Sequence, residues 1–216
     1  VIVDGVSTEE CTIAELSPKI GLVFQNPFNQ LSYTAGTVAE ELAYGLGNRG
    51  IPREQMAEKV DYVSKLMRID HILSKNPLEL SGGQVQRVAF GSAFIMEPEI
   101  LVLDECTTQL DPSGSEEIFD IVKDLNKKGI TVIMVDHDME RVARGADKIL
   151  VLDQGEAAAI DEPKKIFGNP EIVKRGIGVP DYVKLSQALK EKYYTEREIE
   201  ITEGPTIEMV KEVLKI

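Results

Sequence analysis

The sequence predicts an α/β fold with a mainly parallel sheet, and three observations carry that expectation. Residues 100–103 (Ile-Leu-Val-Leu) and 131–135 (Thr-Val-Ile-Met-Val) are short apolar runs, the pattern of strands buried on both faces. Between them Ile118, Ile121, Val122 and Leu125 recur at helical spacing, so the segment reads strand, helix, strand, the unit from which parallel sheets are wound. Asp104 and Glu105 close the first run. They place two carboxylates at the C-terminal end of a strand, where open α/β sheets bind ligands.

Taken in order, residues 1–5 (Val-Ile-Val-Asp-Gly) read as a strand entering a tight turn at Asp4 and Gly5. Residues 20–24 form the next expected strand, with Gln25 at its end. Thr37 is suited to cap a helix, and Glu40 three residues later completes a capping box. Pro52 precedes a further helix whose apolar face is Met56, Val60, Val63 and Met67, a stripe that reads as core packing. His71 has no second histidine or cysteine nearby, so it reads as structural or exposed and not as a metal ligand.

Ser81, Gly82 and Gly83 then open a helix whose apolar face is Val85, Val88, Ala89, Ala93 and Met96, with Pro98 expected to close it. Without side chains, Gly82 and Gly83 let the backbone approach an anion. The unpaired N–H groups and the dipole of the helix favour negative charge there, and Ser81 supplies a cap and a hydroxyl. Pro112 and Ser113 start the next helix, which Lys127, Lys128 and Gly129 end in accord with dipole and C-cap preferences. His137 follows the strand at 131–135 and is expected at the same sheet edge as Glu105. Residues 149–153 and 157–160, joined across Gln154 and Gly155, read as a closing hairpin, and a polar, mainly helical tail follows from about residue 166.

The 216 residues suffice for one sizeable core, or one with a small appended lobe. A net charge of −13 disfavours generic binding to nucleic acid phosphates. No apolar run reaches bilayer-spanning length, so any membrane role is expected to work through a partner subunit. Cys11 and Cys106 lack metal-ligand spacing and a disulfide framework, which reads as reduced thiols in a cytoplasmic protein.

Residues 80–84 (Leu-Ser-Gly-Gly-Gln) resemble the signature motif of the ATP-binding-cassette (ABC) ATPases, and residues 100–105 resemble their Walker B segment. The region of Asp111 is similar to their D-loop. Gln25 and His137 fall where the family has its Q-loop glutamine and switch histidine. The wording of residues 23–30 and 43–54 is most similar to the ATPases of energy-coupling-factor importers, which take up vitamins and transition metals such as cobalt or nickel. Residues 178–193 resemble the C-terminal extension of those ATPases, which helps pair two subunits.

The resemblance implies a P-loop NTPase core from residues 1–28 and 98–165, incomplete at its N-terminus, a helical signature subdomain at 29–97, and a C-terminal extension at 166–216. It implies ATP and Mg2+ as ligands, with Glu105 as base and with Gln25 and His137 positioning the water. Asp104 and Gln25 would hold the metal. Two family domains pair head to tail, so Ser81, Gly82, Gly83, Gln84 and Asp111 would contact ATP held by a second ABC ATPase subunit, identical or different. A transmembrane transporter subunit is the other implied partner, at the cytoplasmic face of the membrane, and no nucleic acid is expected.

The chain departs from the family in four places. No G-x-x-x-x-G-K-[ST] occurs, and in the family that loop precedes the region matched by residues 1–5. The expectation is a fragment of a longer domain, with natural loss of the nucleotide-gripping half as the runner-up, and weak ATP binding by this chain alone. Cys106 stands where proline usually follows the catalytic glutamate, and Asp136 where threonine or serine usually precedes the histidine. Gly91 and Ser92 replace a common alanine and arginine, a change expected to weaken the helix. The rival readings are a regulatory module that only caps a partner's ATP, and an ABC ATPase not involved in transport.

Overall fold

Glycine and capping residues set the first turns of the chain. The computed structural model describes residues 1–185, which divide into two units, Val1–Val135 and a second beginning at Asp136. The first unit opens with a hairpin of β1 (Ile2–Val3) and β2 (Val6–Ser7), turned by Asp4 and Gly5 at φ 51° and 80°. Both turn residues lie in the left-handed region that such two-residue hairpins require. A single turn, α1 (Ile13–Leu16), leads to β3 (Ile20–Val23). Three helices follow: α2 (Val38–Asn48), α3 (Arg53–Leu66) and α4 (Gly82–Phe94). Then come β4 (Ile100–Asp104), α5 (Pro112–Lys127) and β5 (Thr131–Val135).

The three longer strands form one parallel sheet in the order β3-β4-β5, with Val23 opposite Leu103 and Asp104 opposite Val135. Their C-terminal ends therefore share an edge. Val23, Leu101 and Leu103 are fully buried on one face, in a core with Val85 and Val88 of α4 and Ile118, Val122 and Leu125 of α5. The opposite face differs from the sequence expectation. Leu22, Ile133 and Val135 are 41%, 53% and 51% exposed, so the strands are not buried on both faces. The physical reason is that α4 and α5 bury their stripes with the first set of side chains only, and period-two alternation turns the others outward.

Thr37 and Glu40 make the expected capping box, each side chain accepting from the other residue's backbone N–H. Val60, Val63 and Met67 are buried along α3 as predicted, and His71 is exposed in a short 3-10 turn. Helix α4 ends at Phe94, earlier than Pro98 was expected to end it, and Met96 packs on the core from beyond the helix. Gly91 is a close-approach position: a Cβ there would lie 3.0 Å from Leu42 and 3.1 Å from Val63, so its presence lets α4 sit against α2 and α3.

The second unit contains α6 (Met139–Gly145) and the hairpin of β6 (Ile149–Asp153) and β7 (Glu156–Asp161), turned at Gln154 and Gly155. Two short helices, α7 (Pro163–Phe167) and α8 (Pro170–Val173), follow the hairpin. Val151, Ile166, Phe167, Ile172, Val179 and Val183 form its core. The part of the expected C-terminal extension from residue 186 onward lies outside the described residues. Among the described residues no helix is long and apolar enough to cross a membrane.

Candidate functional site

Parallel register carries Gln25, Asp104 and Glu105 to one sheet edge. Glu105 follows β4, and its N–H donates to the Val135 carbonyl at 3.0 Å, so the chain turns away beside the end of β5. Its φ is 44°, a conformation few non-glycine residues adopt. The Thr108 N–H and hydroxyl both donate to the Glu105 carbonyl, at 3.3 and 3.2 Å, and hold that turn. Across the edge, the Gln25 amide Nε2 donates to Oε2 of Glu105 at 2.6 Å. Asp104 is exposed beside them.

The loop after β3 is anchored from both sides by Gln30. Its Oε1 accepts from the Phe24 N–H at 3.2 Å, and its Nε2 donates to the Ala89 carbonyl of α4 at 2.7 Å. Buried Glu41 accepts from the N–H and hydroxyl of Ser32, both at 2.8 Å. These contacts tie the segment bearing Gln25 to the helical part of the same unit.

A second group of predicted residues gathers at the starts of α4 and α5. Ser81 caps α4 in a reciprocal box: its N–H donates to Oε1 of Gln84 at 3.1 Å, and its Oγ accepts from the Gln84 N–H at 3.4 Å. Ser81 is exposed, and Gly82, Gly83 and Gln84 are half-buried. A Cβ on Gly82 would sit 3.2 Å from Oε1 of Gln109, and one on Gly83 3.4 Å from Leu110. The glycine turn thus packs directly on the residues before Asp111. Asp111 in turn caps α5, its Oδ1 accepting from the Gly114 N–H at 2.9 Å. Cys106 and Thr107, between the acidic pair and this turn, are buried.

Two arrangements escaped the sequence reading. Arg87, on α4, pairs with Glu117 on α5 at 2.8 Å and donates to the Met67 carbonyl at 3.1 Å, joining the glycine-turn helix to the helix after Asp111. Arg68 also pairs with Glu117. The signal was present only as an arginine and a glutamate on two helices, and nothing in their spacing selected that pair. The other arrangement surrounds His137, which lies in the second unit and is exposed. Asp136 does not carry a bare carboxylate: Arg141 donates to its Oδ2 at 2.9 Å and to Oδ2 of Asp138 at 3.1 Å.

Chemically, the edge offers an accepting carboxylate with an oriented amide on it and a neighbouring exposed carboxylate. Among the described residues no group of three histidine, cysteine or acidic side chains is placed to hold a metal by itself. At the other group, the first turn of α4 presents N–H groups of Gly82 and Gly83 in the position that attracts anions.

Known proteins share sequence and fold with the chain. A family model described as "ABC transporter" matches residues 1–108. The energy-coupling factor transporter ATP-binding protein EcfA1 of Bacillus subtilis is 42% identical over 191 residues, covering 88% of this chain and 67% of that protein. Among solved structures, cbiO1 from Clostridium perfringens, described as part of the ABC transporter complex cbiONQ, is similar with a TM-score of 0.70 and 32% identity over 86% of this chain and 75% of that one. The ATP-binding cassette MJ0796, solved as a dimer in a post-hydrolysis state with ADP and Pi, gives a TM-score of 0.65 and 30% identity over 74% and 72%.

Proposed function

The chain belongs to the ABC transporter ATP-binding family, and from that premise we propose that it drives an importer of the energy-coupling-factor type, carrying a vitamin or a transition-metal ion. As a member it is the ATP-binding, ATP-hydrolysing part of a transporter. The import reading is supported by the EcfA1 relatives and by the likeness to cbiO1 of the cbiONQ complex. On this reading it pairs with a second ATPase subunit and docks on transmembrane partners at the cytoplasmic face.

The observation that carries the site assignment is the 2.6 Å hydrogen bond between Gln25 and Glu105, residues 80 positions apart. Glu105 takes the proton of the attacking water, and the Gln25 amide fixes the direction of its carboxylate. Asp104 and the Gln25 amide oxygen fit a magnesium ion, because that ion uses few protein ligands and completes its shell with water and phosphate oxygens. When bound, it supplies neutralising charge to the phosphates. The N–H groups of Gly82 and Gly83, with Ser81 and Gln84, stabilise negative charge on ATP gripped by the partner, and Asp111, the cap of α5, is assigned to the same nucleotide. His137 is assigned to the phosphate side of the reacting water.

The test is Glu105→Gln in the complete ATPase assembled with its transporter partners. Phosphate release is expected to fall by roughly 10²–10⁴, the scale of a general base, with ATP still bound. An unchanged rate removes Glu105 from this role.

A further inference from the structure

His137 is bracketed by charges that hold its backbone. The Asp138 N–H donates to Oδ1 of Asp136 at 2.8 Å, closing a turn around the histidine, and the Arg141 N–H donates to Oδ1 of Asp138 at 3.1 Å, starting α6. The Arg141 guanidinium then reaches back to both carboxylates, at 2.9 and 3.1 Å. The side chains of Arg141 and Asp136 are only 9% and 4% exposed, whereas His137 between the two aspartates is exposed. A buried ion pair of this kind adds little to stability compared with an apolar pair, and its best-attested use is to select one conformation. Here the selected element is the backbone on either side of one imidazole.

We propose that Arg141, acting through Asp136 and Asp138, is a positioning residue for His137. This rests on the reading of His137 as a phosphate-side group. Asp136 is compatible with such a site because its charge is consumed internally, and Arg141 is the residue that consumes it.

The experiment measures ATP hydrolysis by the full ATPase in its transporter complex for R141M, the charge-free double variant D136T/R141M, and H137A. R141M is expected to lower kcat by about 10- to 10²-fold, the scale of a misplaced catalytic group, with KM for ATP nearly unchanged. The double variant, in which neither charge is buried alone, is expected to recover most of the rate. If R141M keeps the wild-type kcat, or the double variant is as slow as the single, the proposal falls while the site assignment stands. If H137A keeps the wild-type kcat, both fall. Should R141M not fold by its thermal transition, D136N takes its place, expected to lower kcat several-fold; an unaltered kcat there overturns the proposal.

Discussion

At Glu105 the backbone holds a φ of 44°, a conformation that costs a non-glycine residue about 1–3 kcal/mol and that clusters at functional sites. The acidic pair itself was legible, because a strand of four apolar residues ending in two carboxylates is a strong local pattern. Its left-handed turn was not, since no glycine or asparagine marks it. Asp136 teaches the converse. As a lone letter before a histidine it does not say what offsets its charge, and only the folded start of α6 brings Arg141 onto it. The cysteines give a direct check at this scale. Cys106 is 2% exposed and Cys11 half-buried, so a thiol reagent should label Cys11 in the native protein and reach Cys106 only on unfolding. Labelling of both at equal rates would contradict the burial of the segment after Glu105.

Elements were the most readable scale, because their signals are local. Thr37 with Glu40 announced one helix start as a capping box and Ser81 announced another as a cap; both form, and the reciprocal bond from Gln84 at Ser81 was not read from the sequence. Thr37→Ala should destabilise the first unit by about 1 kcal/mol, read as a lower midpoint in chemical denaturation, since both reciprocal bonds depend on that residue. No shift would mean that water replaces the cap without loss. The reading of Gly91 as a weak point in α4 missed its reason, because contact with Leu42 and Val63 joins segments far apart in the chain. The Arg87–Glu117 pair was invisible for the same cause: helical periodicity reports which face is apolar, not which neighbouring helix a polar side chain meets.

For the whole molecule, alternation of strand and helix was enough to anticipate a parallel sheet and the edge where the acidic pair stands. What composition could not show was that, among the described residues, Leu22, Ile133 and Val135 on one face of that sheet are exposed, since an apolar run reads alike whether one or both faces are covered. Its nucleotide chemistry follows from the inventory of residues. The 216 residues include anion-facing turns but no G-x-x-x-x-G-K-[ST], so this chain by itself should bind ATP only weakly. Calorimetry showing micromolar affinity would refute that.

The exposed apolar side chains of the sheet have a colloidal consequence. Among the described residues β3 and β5 are its outer strands, four and five residues long, and they carry the exposed Leu22, Ile133 and Val135. A charge of −13 drives copies apart at low ionic strength, and added salt shortens the reach of that repulsion to about 3 Å at 1 M. Light scattering from the purified chain should therefore rise with sodium chloride instead of falling, the opposite of a protein whose copies are glued by ion pairs.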